Sequence, residues 1–330
     1  TPKFGSRTKV LKAKTSDLKL TSAIVKETIY RDFNEITFLS ISEPDLSTLE
    51  TINRKYKFHH LAIEDCLSEF QRSKIEPYKD YIHVILQVPT YDRDIVIPAE
   101  VNFFISESYL VLVHWNSLEY LKTFIDSVVS NEEIRKDSMA KGTGYLLYKI
   151  LDMIVLNCFS LIDNIEKRVR ILESKVFDEN IYDDRKTVRE IAKTRRDIMA
   201  FHRIIKPQIA VMNSLERIKE KYIIHDMELY FGDIADHVTK QWEMINDQHE
   251  LIINLSSTNE SLISVRANNI MKTLTIMSVI ILPLTLISGI YGMNIRLPIA
   301  EFKFAFEIII ACMLLISVLM MVFFKRKKWI

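Results

Sequence analysis

The side chains in this sequence best placed to do chemistry are uncharged. Thr275, Ser278 and Thr285 carry hydroxyls, and with Met271, Leu282 and Gly289 they fall in one narrow sector of a helix turning about 100° per residue. With no acid or base beside them, such groups exchange hydrogen bonds with water or with a neighbouring backbone. The stretch that holds them reads KTLTIMSVIILPLTLISGIYGMN from Lys272 to Asn294, and no charged side chain occurs between Lys272 and Arg296. About 20 apolar residues, at a rise of about 1.5 Å each, cross a bilayer core about 30 Å thick, so a membrane span is expected here. Its other faces carry Leu274, Ile276, Met277, Val279, Ile280, Ile281, Leu284 and Leu286. A polar stripe on an otherwise lipid-like helix must face something other than lipid. Two partners satisfy it equally: a closely packed helix or a water-lined path.

No second chemistry competes with this one. The six glycines form neither a dinucleotide-binding nor a phosphate-cradling pattern, and no Ser-His-Asp or Cys-His constellation can be asserted. His59-His60 tempts as a metal pair, but adjacent residues point in different directions, which favours an ordinary surface or core pair. Cys66, Cys158 and Cys312 are scattered too widely for a disulfide framework or a metal cluster, and all three are expected to be reduced, buried and inert. An enzyme is the least supported reading.

The elements that must position the stripe can be read in order. Charge is balanced, 44 Lys and Arg against 43 Asp and Glu, which points neither to nucleic acid nor to acidic ligands. The balance is uneven along the chain: residues 273–324 hold only Arg296, Glu301, Lys303 and Glu307. Residues 1–22 read as a loose arm whose Lys3, Arg7, Lys9, Lys12 and Lys14 precede no apolar run, so no secretion signal is expected there. Ile36–Ile41 and Tyr81–Val88 read as strands, and Val101–Ile105 with Leu110–His114 as a hairpin. Helices are expected after Ser42-Glu43-Pro44, from about His60, and from Ser117 to about Ser130. This predicts an α/β domain over residues 1–144, with a helical hairpin over 145–225 whose second helix runs to about Pro207.

From Asp226 onward one helix is expected to run into the span, giving a stalk and first span over 226–294. Met227, Phe231, Ile234, Val238, Ile245, Ile252, Leu255, Leu262 and Val265 are roughly heptad-spaced, the pattern of a helix packed on parallel copies or on a neighbouring layer. Residues 295–303 form a loop, 304–324 a second span without a polar stripe that faces lipid, and 325–330 a basic tail. Lys325, Arg326, Lys327 and Lys328 place that tail in the cytoplasm by the positive-inside rule. Two spans then return the chain to its starting side, so both termini are expected to be cytoplasmic and the loop external.

The stretch ends in Gly292-Met293-Asn294, and the whole of Pro283–Asn294, followed by a short loop, a second span and a basic end, resembles the CorA magnesium transporters. His60-Leu61-Ala62-Ile63-Glu64-Asp65 and Tyr230–His237 also look like family segments, so the resemblance covers most of the chain. It implies an α+β cytoplasmic domain followed by long helices and two C-terminal transmembrane helices, assembled as a funnel-shaped homopentamer in the cell membrane. Its first spans would line a pore, with Gly292, Met293 and Asn294 as selectivity filter at the outer mouth. Mg2+ is the expected ion, with Co2+ as a possible second. Mg2+ sheds its inner waters reluctantly, and amide and hydroxyl oxygens suit a hydrated ion. The resemblance adds Asn268 and Leu274 to a pore lined by Met271, Thr275, Ser278, Leu282, Thr285 and Gly289. It also implies that intracellular Mg2+ bridges Asp65, beside Glu64, to Asp233 of the next subunit and holds the pore shut.

One segment departs from the family pattern. The loop that commonly carries an acidic Met-Pro-Glu-Leu segment reads Ile295-Arg296-Leu297-Pro298-Ile299-Ala300-Glu301-Phe302 here, and Arg296 beside the mouth weakens attraction for dications. Two other readings stay open: a Zn2+, Co2+ or Ni2+ transporter of the same architecture, running in either direction, or a membrane-anchored sensor whose spans transport nothing.

Overall fold

The computed structural model describes residues 8–9, 24–31, 35–68, 71–115, 118–178, 184–218, 227–293, 304–327 and 329. They fall into two compact units, Thr1–Leu255 and Ser256–Ile330.

The first unit is built on a mixed sheet. Its strands are β1 (Thr8–Lys9), β2 (Ile24–Arg31), β3 (Glu35–Ser42), β4 (Lys74–Pro77), β5 (Ile82–Asp92), β6 (Ile95–Ile105) and β7 (Tyr109–His114). Among the described residues the spatial order is β1-β2-β3-β7-β6-β5-β4. Only β3 and β7 run parallel, with Phe38 opposite Leu110; the other neighbours are antiparallel. Residues 82–86 and 99–105 are buried on both alternating faces, as a sheet covered on both sides requires.

One face lies under α1 (Leu46–Tyr56) and α2 (His60–Leu67). Leu39, Ile41, Leu49, Phe58, Ala62, Ile63, Cys66, Tyr81 and Phe104 form a continuous apolar cluster there, and Phe58 stacks on Phe104 with ring centroids 4.1 Å apart. Asp45 starts α1 by accepting the Thr48 N–H at 2.8 Å, satisfying one of the orphan donors of the first turn. After α3 (Glu119–Ser130) the chain forms α4 (Glu132–Met139), capped by Asn131, whose Oδ1 accepts from the Glu133 and Ile134 N–H groups. Gly142 then turns at φ 104°, a region closed to most side chains, to launch α5 (Thr143–Phe177).

The other face is covered by α5 and α6 (Asp184–Arg217). Gln208 Nε2 donates to the Gln87 carbonyl at 2.5 Å, and buried Asp197 pairs with Arg168 of α5 at 2.7 Å while accepting the Val96 N–H at 3.4 Å. The hairpin is thus bonded to the sheet, and the division between units falls at Leu255/Ser256 instead of at 144/145 or 225/226. Those bonds explain how α6 continues through Pro207 to Arg217: buried Ile204, Ile205, Val211 and Met212 anchor both sides of the missing N–H. By length and hydropathy α5 also qualifies as a span, but half of its most apolar window is buried inside the unit. Its apolar residues serve the core.

The last two helices are α7 (Glu228–Tyr291) and α8 (Ala305–Arg326). From Met227 just before α7, one row of buried positions steps 227, 231, 234, 238, 241, 245, 248, 252, 255, 259, alternating four and three. The heptad seam is therefore real, and its contacts in the first unit run to the neighbouring layer: Gln241 Nε2 donates to the Val155 carbonyl at 2.6 Å, and His202 meets Trp242. Val265, placed on that seam by its spacing, is 53% exposed instead. In the second unit both helices are mostly open, and each has the composition and length of a membrane span.

Three expectations need correction. Most of the arm over residues 1–22 lies outside the described residues, but Thr8 and Lys9 are paired, opposite Thr28 and Glu27. Cys66 and Cys158 are buried and free, and burial pushes the Cys158 thiol up to about 12; Cys312 is exposed, because it sits on the open side of an apolar helix. The second span is not uniform either, since Ala305, Ile309, Met313, Ile316, Ser317, Met320 and Phe324 form one shielded seam along α8.

Candidate functional site

The polar stripe of α7 is open in the second unit. Asn268, Met271, Leu274, Thr275, Ser278, Leu282, Thr285 and Gly289 are all exposed, Met271 by 63% and Leu282 by 67%. The shielded residues, Lys272, Ile276, Ile280, Pro283, Leu284 and Ile287, fall on the opposite side of the helix at about 100° per residue. Packing within the described part of the unit thus uses the face away from the hydroxyls. A Cβ added at Gly289 would meet nothing within 4 Å, so its smallness answers no contact in its own chain; one at Gly292 would meet the Ser288 carbonyl oxygen at 3.1 Å.

The hydroxyls have a defined polarity. Thr275 donates to the Met271 carbonyl at 2.8 Å, Ser278 to Leu274 at 2.9 Å, and Thr285 to Ile281 at 3.0 Å. Each hydrogen is committed to the residue four back, so each oxygen turns only lone pairs outward. A column of acceptors without donors suits the waters of a hydrated cation and repels an anion. The column ends at Gly292 and Met293, where the Gly292 N–H caps onto the Ser288 carbonyl at 2.9 Å. Asn294, Arg296 and Glu301 lie outside the described residues, as does Lys328; Lys325, Arg326 and Lys327 are exposed at the end of α8.

The carboxylates singled out in the sequence occupy two places in the first unit. Asp233 is exposed near the start of α7, its Oδ1 4.0 Å from His237 Nε2, on a depression lined also by Glu216, Glu228, Gly232 and Asp236. Glu64 is exposed on α2. Asp65, which the resemblance assigns to a bridge between subunits, is engaged within its own chain. Its side chain is 18% exposed, and its Oδ2 holds Lys74 Nζ at 2.7 Å, while the same ammonium reaches Glu76 Oε1 at 2.7 Å. Burial pulls the Lys74 pKa down, but the two carboxylates outweigh it and leave it raised. In Glu76 burial pushes upward, and the Lys74 contact overrides it, leaving the carboxyl below its ordinary value.

Lys74, Glu76 and His83 escape a reading by motif, although the sheet explains them simply. Lys74 and Glu76 are two apart on β4 and share a face, and the antiparallel register sets Glu76 opposite His83 and His83 opposite Phe104. His83 is fully buried, stacked on Phe104 at 4.4 Å, and burial holds its pKa down to about 4. The pair His59-His60 is expected from sequence to point in different directions, but its rings lie 4.3 Å apart, and His59 Nδ1 caps α2 by accepting the Leu61 N–H.

Fold and site together define a membrane protein with a large α/β unit and an uncharged, acceptor-lined face on α7. Residues 33–326 match the family described as CorA-like Mg2+ transporter protein. The chain belongs to that family, which is one of ion transporters and not of enzymes. It is 28% identical over 308 residues to the cobalt/magnesium transport protein CorA of Thermotoga maritima, covering 91% of this chain and 85% of that one. It is 30% identical over 278 residues to the putative metal ion transporter YfjQ of Bacillus subtilis, covering 83% of each. The structure of the CorA magnesium transporter from Methanocaldococcus jannaschii superposes with a TM-score of 0.79 at 22% identity, covering 95% of this chain and all of that one, which shows the shared fold.

Proposed function

We propose that the chain is a passive, channel-like importer of Mg2+, working as a homopentamer in the cell membrane with both termini in the cytoplasm and Co2+ as a second cargo. The observation that carries this reading is the open stripe of α7, with its hydroxyl hydrogens turned back onto the helix and its oxygens outward. A two-span subunit cannot enclose a pore alone. Several copies must meet with these faces inward, which gives the polar groups the wet environment they need at membrane depth. Mg2+ and Co2+ come from the names of the relatives, and the absence of fixed charge on the stripe fits an ion that travels hydrated. Met271 and Leu282 supply apolar constrictions able to gate by dewetting, and Asn294, with Gly292 and Met293, the outer filter.

The test is ion flux into proteoliposomes for Mg2+, Co2+ and Zn2+, with and without an imposed inside-negative potential. Potential-dependent Mg2+ entry is expected. Zn2+ entry exceeding Mg2+, or no entry of any ion, would reject the reading in favour of a zinc transporter or a membrane-anchored sensor. In the same assay Asn294→Ala is expected to lower Mg2+ flux by about tenfold or more with assembly intact, since it removes the amide oxygens that replace bulk water around the ion.

Regulation completes the proposal. Asp233 and Glu64 are exposed, and a cation bridging Asp65, beside Glu64, to Asp233 of the next subunit would relieve carboxylate repulsion across the interface and hold the pore closed. In this chain such a bridge competes with Lys74 for Asp65. Joint Asp65→Lys and Asp233→Lys substitution is expected to remove inhibition of flux by internal Mg2+; inhibition at the parent concentration would reject the sensor.

A further inference from the structure

His83 carries a nitrogen that the fold leaves without a use. Asn102 Nδ2 donates to Glu100 Oε1 at 2.9 Å, which turns its Oδ1 to His83 Nε2 at 3.0 Å. To make that bond Nε2 must carry the ring proton, so Nδ1 holds a bare lone pair. That lone pair is fully buried and has no hydrogen-bond partner. Glu76 Oε2 lies 4.0 Å from Nδ1, too far for a hydrogen bond. Asp65, Glu76 and His83 each bring one ligand atom to within 4.8 Å of the others. The Lys74 ammonium is held between Asp65 and Glu76 at 2.7 Å from each. Tyr78 Oη donates to Glu76 Oε2 at 3.1 Å and fixes that carboxylate from the other side.

Imidazole nitrogen plus two carboxylates is a ligand set for a borderline divalent ion. Imidazole raises affinity for Co2+, Ni2+ and Zn2+ over Mg2+, which prefers oxygen and water. Two ligands each about 2.1 Å from such an ion lie at most about 4.2 Å apart, so the Nδ1 to Oε2 spacing of 4.0 Å falls inside that limit, and the three ligand atoms, within 4.8 Å of one another, draw together on binding. The Glu100-Asn102-His83 chain is the outer support that metal-bound histidines need, because it fixes the tautomer and the ring plane. A cation of this size would replace the Lys74 ammonium, whose side chain is 34% exposed and can swing into solvent.

We propose that Asp65, Glu76 and His83 form a site within one protomer for a transition-metal dication of the Co2+, Ni2+ or Zn2+ class, occupied by the Lys74 ammonium when no metal is present. The site shares Asp65 with the regulatory bridge but does not depend on transport or on assembly. An ion bound there withdraws Asp65 from any bridge to a neighbouring subunit, so the chain answers to two classes of cation through one carboxylate.

The experiment is Co2+ titration of the full chain in detergent, followed by calorimetry and by the visible absorption of the bound ion. One equivalent per chain with nitrogen ligation is expected in the parent. His83→Gln should remove that equivalent or weaken it by about tenfold or more, as loss of a ligand does. Lys74→Met, which removes the ammonium held by Asp65 and Glu76 but none of the three ligands, should tighten it by about tenfold, because a positive charge no longer competes. Unchanged Co2+ binding in both variants would overturn the site. Equal displacement by Mg2+ at the same concentration would overturn its assigned class. Should His83→Gln fail to fold, Lys74→Met decides alone: a gain in affinity supports the site and no change refutes it. A His83-dependent Co2+ signal in a protein that passes no ion would sink the transport reading and leave this one standing; the reverse result would do the opposite.

Discussion

Ser278→Phe is expected to abolish Mg2+ flux into proteoliposomes, while Met277→Phe leaves it within about threefold of the parent. The two positions are neighbours on α7, both exposed in the second unit, and the substitution installs the same ring on each. Insertion into a bilayer does not separate them, since Phe is favoured at membrane depth. They differ in direction. Ser278 lies at the centre of the stripe with Thr275, Leu282 and Gly289, whereas Met277 lies about a third of a turn away, outside it. If several copies gather with the stripe inward, a ring at 278 from every subunit fills the path and also removes one rank of hydroxyl acceptors. At 277 the ring goes to lipid or to the edge of a helix contact. Equal losses at both sites, or normal flux through Ser278→Phe, would mean that the stripe serves close helix packing and that ions do not pass along it.

That the stripe exists was legible from spacing alone, because a membrane span carries so little polarity that three hydroxyls on one face stand out. Which partner it meets was not legible. The structure narrows the choice within one chain, since the shielded face of Ile276, Ile280, Pro283 and Ile287 lies opposite. The heptad seam of α7 was likewise visible as a row of apolar residues with unexplained gaps. Gln241, Gln248 and Asn259 fill those gaps as buried polar residues, and a reading by hydropathy skips them by construction.

The sheet was harder to read, for reasons that lie in particular residues. β5 and β6 form one long hairpin, yet Pro89 and Pro98 stand directly opposite each other in its register and read as breaks. Its tight turn uses Arg93 and Asp94 at φ 45° and 65° with no glycine to announce it. β2 and β4 are edge or near-edge strands rich in charge, and α4 is eight residues of low apolar content, so neither period nor hydropathy marks them. The cluster around His83 follows from this difficulty. Asp65, Glu76 and His83 are brought together by strand register and by a helix laid over it, and register is a long-range property that one sequence does not display.

Arg168→Met is expected to cost more stability than Asp197→Ala, although each breaks the same ion pair. Asp197 is fully buried on α6, bonded to Arg168 NH1 at 2.7 Å and to the Val96 N–H at 3.4 Å, while Arg168 is 30% exposed and also meets the Tyr91 hydroxyl at 3.2 Å. Removing the carboxylate leaves a cation that still reaches Tyr91 and water, so the loss falls below the usual range for a broken buried pair, about 2 kcal/mol. Removing the guanidinium leaves a carboxylate with one weak N–H bond and Arg196 no nearer than 3.9 Å, and the cost rises to about 4 kcal/mol. In thermal unfolding of the full chain in detergent, Arg168→Met should melt roughly 8–16 °C below the parent, at about 2–4 °C per kcal/mol for a unit of this size. The double variant should melt above Arg168→Met alone, because it no longer buries an uncompensated charge. Additive losses, or a double variant that melts lowest, would show that the pair acts through its packing and not through the charge it neutralises.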